Sequence, residues 1–195
     1  MTDLVALPQE TRLAARQNLL KGAGWDQARA EPLAGDASLR SYQRLHRDSE
    51  TAVLMDAPPP QEDVRPFVAM ANWLKVKGLS APELYAVNAD AGYILLEDLG
   101  DGLYSSEMAS GADEARLYDA AVDVLAAWQQ HAPPEEFPPY DDDFLLLEVS
   151  YFFDWYLKQH LGQSVTDDQR SDFLGLWQTL LAGMNPGPRV LVLRD

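Results

Sequence analysis

Apolar positions along the chain first recur at helical spacing, then alternate with polar ones, then return to helical spacing. In residues Pro8 to Lys21, Leu13, Leu19 and Leu20 fall among good helix formers, and Gly22 and Gly24 follow as a stop signal. An opening helix is predicted there. Between Glu31 and Leu45 the residues Leu39, Ser41, Gln43 and Leu45 alternate with Arg40, Tyr42 and Arg44, the pattern of a half-buried strand. After a turn over Arg47 to Glu50, the apolar run Thr51 to Asp56 predicts a second strand, ended by Pro58 to Pro60 because proline donates nothing to a ladder. Val64, Phe67, Val68, Ala71 and Leu74 place an amphipathic helix over Gln61 to Lys77. Leu84 to Val87 and Tyr93 to Glu97 then flank the turn-forming Asn88-Ala89-Asp90-Ala91-Gly92 as another strand pair.

Beyond Gly102 the pattern turns helical. Ala112 to His131 and Phe144 to Leu161 are long periodic segments that offer Leu117, Val124, Leu125, Trp128, Phe152, Tyr156 and Leu157 for burial. Ala132 to Tyr140, with Pro133, Pro134, Pro138 and Pro139, is a connector, and Asp141 to Asp143 reads as a helix cap. A last helix covers about Asp167 to Ala182, and Arg189 to Leu193 reads as a buried strand. The composition shifts at Leu99 to Gly102, so the expected organisation is an α+β protein: residues 1–100 form one lobe and 101–195 a helical one, with a cleft between them as the default ligand site. Trp128, Trp155 and Trp177 are expected in the helical core.

Composition narrows the chemistry. A formal charge of −16 opposes the basic footprint of nucleic-acid binding. Cysteine is absent, which removes disulfides and thiolate chemistry, and His46, His131 and His160 share no ligand-like spacing. No stretch reaches the roughly 18 apolar residues of a membrane span, and the chain is read as cytoplasmic with no membrane partner. One segment could hold a phosphate: Leu33 to Arg40 sets Gly35, Asp36 and Ser38 between two strands, with Arg40 and Arg44 close by. Taken alone, those residues are better explained by an ordinary hairpin turn.

Several segments taken together are more specific. These are Gly-Asp-Ala-Ser-Leu-Arg-Ser-Tyr-Gln-Arg-Leu over 35–45, Ala-Val-Leu-Met-Asp-Ala-Pro-Pro over 52–59, and Tyr93-Ile94-Leu95-Leu96-Glu97-Asp98-Leu99-Gly100-Asp101. Phe153-Asp154-Trp155-Tyr156-Leu157 and His160-Leu161-Gly162 complete the set. The combination resembles the aminoglycoside phosphotransferase-like kinases, and within them the bacterial cell-wall sugar kinases that phosphorylate the anomeric hydroxyl of N-acetylmuramate and N-acetylglucosamine. The resemblance implies a protein-kinase-like two-lobe fold, ATP and magnesium as cofactors, and a small hydroxylated acceptor in cell-wall recycling. It implies that the backbone of Glu97 and Leu99 meets adenine, while Gly35, Asp36 and Ser38 cover the phosphates.

The strand lysine that pairs with phosphates in protein kinases corresponds here to Met55, and Arg40 or Arg44 is a candidate replacement, with Glu62 to orient it. Asp195 matches the aspartate that positions or deprotonates the acceptor hydroxyl, with Leu193 where histidine is usual. The family's metal-holding asparagine and second aspartate would follow Asp195, so no metal ligand is assigned, and the chain reads as a truncated, inactive piece. Two other readings stay open at this point. One is a kinase acting on an aminoglycoside, choline-like amine or homoserine-like alcohol, and the other is a non-catalytic nucleotide-binding fragment.

Overall fold

The computed structural model describes residues 6–34, 39–135, 137–184, 187 and 190–192. It falls into two compact units, 1–124 and 125–195. The expected α+β class is found: an antiparallel sheet with flanking helices comes first and helices follow.

In the first unit, α1 (Gln9–Gly22) leads into β1 (Arg29–Pro32), β2 (Ser41–Arg47) and β3 (Glu50–Asp56). Then come α2 (Arg65–Val76), β4 (Leu84–Asn88) and β5 (Tyr93–Glu97), followed by α3 (Tyr104–Ala109) and α4 (Glu114–Trp128), within which the unit boundary falls. The strands lie in the order β1-β2-β3-β5-β4, every neighbouring pair antiparallel. The β2–β3 hairpin turns through Asp48 at φ 51°, a left-handed conformation that aspartate tolerates better than most residues.

Alternation along the central strands sorts side chains onto two faces. Ala52, Leu54, Tyr93 and Leu95 join Leu45, Leu20 and Trp25 in a core on the α1 side. Val53, Met55, Ile94 and Leu96 join Val64, with Phe67 and Val68 of α2 packed against them, on the other. Each fully buried aliphatic side chain in these layers contributes roughly 1.5–3 kcal/mol. Arg12 of α1 pins its face by pairing with Asp56, donating to the Ala91 carbonyl at 3.1 Å and lying 4.8 Å above the Tyr93 ring.

The structure departs from the pattern reading in several places. β1 has no apolar alternation and is exposed throughout, so it left no hydrophobic signal; backbone pairing with β2 forms it. α2 begins at Arg65 and not at Gln61, because the Asp63 carboxylate accepts the Arg65 amide at 3.0 Å and Pro66 sets the first turn. Glu62 therefore precedes the helix.

In the second unit, α5 (Asp142–Tyr151) is capped by Asp141, whose carboxylate accepts the Phe144 amide at 3.2 Å. It runs on as a π-helical segment, Phe152–His160, and not as a continued α-helix. The wider turn changes which aromatics are buried. Phe153 is buried against Phe173, while Phe152, Tyr156 and Trp155 are exposed, contrary to expectation. Val124 and Leu125 are exposed too, whereas Trp128 is buried as expected. α6 (Asp167–Ala182) starts at a capping box between Thr166 and Gln169. Residues 190–192 adopt no regular structure, although Leu191 is buried.

Candidate functional site

β5 ends at Glu97, and the chain from there to Leu103 connects sheet to helices. The Glu97 amide donates to the Glu83 carbonyl at 2.8 Å. An antiparallel ladder would return a bond from the Glu83 amide to the Glu97 carbonyl. Instead that amide donates to the Glu97 side-chain carboxylate at 3.0 Å. The Glu97 carbonyl is thereby left outside the exchange. Two residues on, the Leu99 amide donates to no acceptor among the described residues, and its side chain is exposed. A carbonyl acceptor and an amide donor two residues apart are the groups that the amine and ring nitrogen along one edge of adenine would require.

Arg44 holds this connection to the sheet. Its Nε and Nη2 donate to Asp98 at 2.7 and 3.1 Å, and Nη1 and Nη2 to Asp101 at 3.0 and 2.8 Å. Asp98 is 7% exposed and Asp101 80%, so the guanidinium bridges an inner carboxylate and an outer one. Hydrogen bonds donated to Asp101 and Asp98 raise the Arg44 pKa. Desolvation pushes the Asp98 carboxyl up, but bonds from Arg44, the Gly100 amide and Thr51, with the charge of Arg44, outweigh it and hold its pKa below the usual range. Asp101 is lowered by its bond to Arg44.

Carboxylates with depressed pKa values stabilise the fold fully above the ordinary value and lose that contribution as pH falls through the depressed one. Arg44→Gln is accordingly expected to lower the thermal midpoint at about pH 7, with the gap to the unsubstituted chain closing only below about pH 4. Melting curves across that range check this; a gap undiminished at about pH 3 would count against the tether.

On the α2 face, β2, β3 and β5 align two rows of side chains, Tyr42–Met55–Ile94 and Arg44–Val53–Leu96. Met55 is 1% exposed within the apolar cluster, so the position expected to carry a cation carries core. Beside it, Arg40 Nε donates to Glu62 Oε2 at 2.9 Å. Burial lowers the Arg40 pKa, but the bond and charge of Glu62, and then Tyr42, overcome this and leave it raised.

Of the residues singled out in the sequence, the structure thus brings Arg40 to Glu62 and places Glu97 and Leu99 on the connecting segment. Gly35, Asp36, Ser38, Leu193 and Asp195 lie outside the described residues. Sequence reasoning missed the commitment of Arg44 to the linker; the signal was an arginine in a strand and two aspartates in the acidic turn, far apart along the chain. Two concavities, of about 340 and 280 Å³, involve α1 and the sheet and include neither Glu97 nor Leu99. Among the described residues no group of three His, Asp or Glu could hold a metal, and no helix is long and apolar enough to cross a membrane.

Comparison with known proteins gives this geometry a setting. A family model described as "Phosphotransferase enzyme family" matches residues 29–195. A Pseudomonas aeruginosa protein named N-acetylmuramate/N-acetylglucosamine kinase is 37% identical over 181 residues, which is 91% of this chain and 53% of that protein. A Pseudomonas putida protein of the same name is 36% identical over 182 residues, with the same shares covered. One from Caulobacter vibrioides, also so named, is 41% identical over 150 residues, 63% of this chain and 41% of that protein. The chain spans about half the length of the curated relatives it matches.

Proposed function

The chain belongs to the phosphotransferase enzyme family, and from that premise we propose that it is the nucleotide-binding portion of an ATP-dependent small-molecule kinase. The acceptor in this reading is the anomeric hydroxyl of an amino sugar, N-acetylmuramate or N-acetylglucosamine, and the setting is cell-wall recycling in the cytoplasm. The observation that carries it is similarity over nine-tenths of the chain to proteins named as kinases of those two sugars.

In this reading residues 1–100 bind the nucleotide and 101–195 begin the acceptor side. The Glu97 carbonyl and Leu99 amide take the adenine edge, supported by the diversion of the Glu83 amide onto the Glu97 carboxylate. Gly35, Asp36 and Ser38 cover the phosphates, and Asp195 positions or deprotonates the acceptor hydroxyl; both assignments rest on the sequence resemblance. The metal that accompanies phosphoryl transfer would neutralise developing charge on the phosphate oxygens. The described residues offer it no ligand group, so none is assigned to it.

The test is calorimetric titration of the 195-residue chain with ATP, together with ADP-release assays on it and on any longer polypeptide containing it. The acceptors are N-acetylmuramate, N-acetylglucosamine, kanamycin and choline. ATP binding is expected in the range of about 1 μM to 1 mM, with transfer to the two sugars only from a polypeptide that also supplies metal ligands. Transfer to kanamycin or choline but to neither sugar would overturn the acceptor assignment.

A further inference from the structure

We propose that the concavity between α1 and β2 is a phosphate-binding site, separate from the segment that would take adenine, in which Arg16, Gln43 and Ser41 hold the free ion or a phosphate monoester. Charge is the first observation. Acidic side chains outnumber lysines and arginines 31 to 15 in this chain. Every other half-buried arginine among the described residues pairs with a carboxylate, as Arg12 does with Asp56 and Arg47 with Glu50. Arg16 is half-buried and has no carboxylate partner among the described residues; its Nη2 donates to Gln43 Oε1 at 2.8 Å. That bond uses one of the five N–H donors of a guanidinium. Taking the group partly out of water without a counter-charge is costly, and a bound anion would supply that charge.

The same bond orients the amide. With its oxygen turned to Arg16, Gln43 is left with the Nε2 donors, which meet no acceptor among the described residues. Ser41 stands two residues earlier on β2 and so on the same face, the one that sends Leu45 into the α1-side core. Its hydroxyl likewise has no partner among the described residues, and Arg16, Ser41 and Gln43 line one concavity of about 280 Å³. Small-molecule sites usually occupy about 300–1,000 Å³, so this one suits an oxyanion with little attached to it. The three side chains offer more donors than the two oxygens of a carboxylate take, which favours the three terminal oxygens of a phosphate ester.

Asp56 and Tyr93 also line the concavity. The Asp56 carboxylate is engaged by Arg12 and by the Tyr93 hydroxyl, so two guanidinium charges stand against one carboxylate and the local balance is positive. Tyr42, between Ser41 and Gln43 in the strand, belongs to the opposite face and packs on the α2-side core. The concavity includes neither Glu97 nor Leu99.

The test is calorimetric titration of the 195-residue chain, Arg16→Gln and Gln43→Glu with inorganic phosphate and, separately, glycerol 1-phosphate, with a melting curve for each protein. Ionic strength is held constant, because screening alone alters weak anion binding. The unsubstituted chain is expected to bind, and Arg16→Gln to bind roughly 10- to 100-fold more weakly, the range for a lost hydrogen bond to a charged group. Gln43→Glu gives Arg16 the carboxylate it lacks, so it should lose phosphate while keeping the fold; this variant decides the matter if Arg16→Gln does not fold. Equal binding of both ligands identifies the free ion as sufficient, and binding of the ester alone identifies the monoester. No binding of either ligand to the unsubstituted chain at about 10 mM overturns the proposal. Binding that either folded variant leaves unweakened overturns it too, by placing the anion elsewhere on the chain.

Discussion

Gly92→Ala is expected to remove about 4 kcal/mol of stability, enough to unfold a marginal domain. Two penalties combine. Gly92 has φ +73°, where a side chain adds about 1–2 kcal/mol of left-handed strain. Collision costs more, because an added Cβ would stand 1.9 Å from the Ala57 carbonyl oxygen and 2.9 Å from its carbon. Those are backbone atoms of a fully buried residue, and the Ala57 amide donates to the Gly92 carbonyl at 2.8 Å, so the contact cannot open without breaking that bond. Gly78→Ala is the matched control: its φ is +75° but nothing lies within 4 Å of the added carbon, so only the strain of about 1 kcal/mol should appear. Urea unfolding of both variants measures the difference. Equal losses at the two positions would show that the close approach of β5 to the end of β3 does not constrain the fold.

Ile94→Ala is the second large loss, about 3 kcal/mol by the usual range for truncating a fully buried aliphatic side chain. Ile94 is 0% exposed and lies across from Met55 on one side and Val87 on the other. The cavity would open beside Met55, in the row that also holds Tyr42. Ile94→Val, which removes one methyl, should lose only about 1 kcal/mol. Denaturant curves check both; a stability loss under about 1 kcal/mol for the alanine variant would mean that the core collapses easily around the gap.

The strands that bury side chains were readable from the sequence because burial imposes a pattern. β3, β4 and β5 show as short apolar runs, and the turn at 88–92 as small and polar residues ending in glycine. β1 was not readable, since Arg-Ala-Glu-Pro is held by backbone pairing that any side chain permits. The π-helical segment was legible only as helix. A period of 3.6 puts Phe152 and Tyr156 inward, and the wider turn gives that place to Phe153 and leaves Trp155 in solvent. At the candidate site the residue types were visible but their partners were not. Arg40 and Arg44 are equivalent by strand parity, and nothing local shows that Glu62, 22 residues away, bonds the first or that Asp98 and Asp101, 54 and 57 residues away, close on the second. Contacts of that range are set by the folded sheet, not by local pattern.

Both faces of the sheet are covered at its centre, and this shapes how the sequence can change over generations. Tyr93, Ile94, Leu95 and Leu96 are all buried, as are the four residues from Ala52 to Met55, whereas in β4 more and less exposed positions alternate. The edge strand can accept a polar residue at every second position without consequence for packing. The two central strands have no neutral face, so a change on one side of them survives only with a compensating change in α1 or one near α2. Substitutions there should travel in pairs between descendants of this chain, while those in β4 arrive singly.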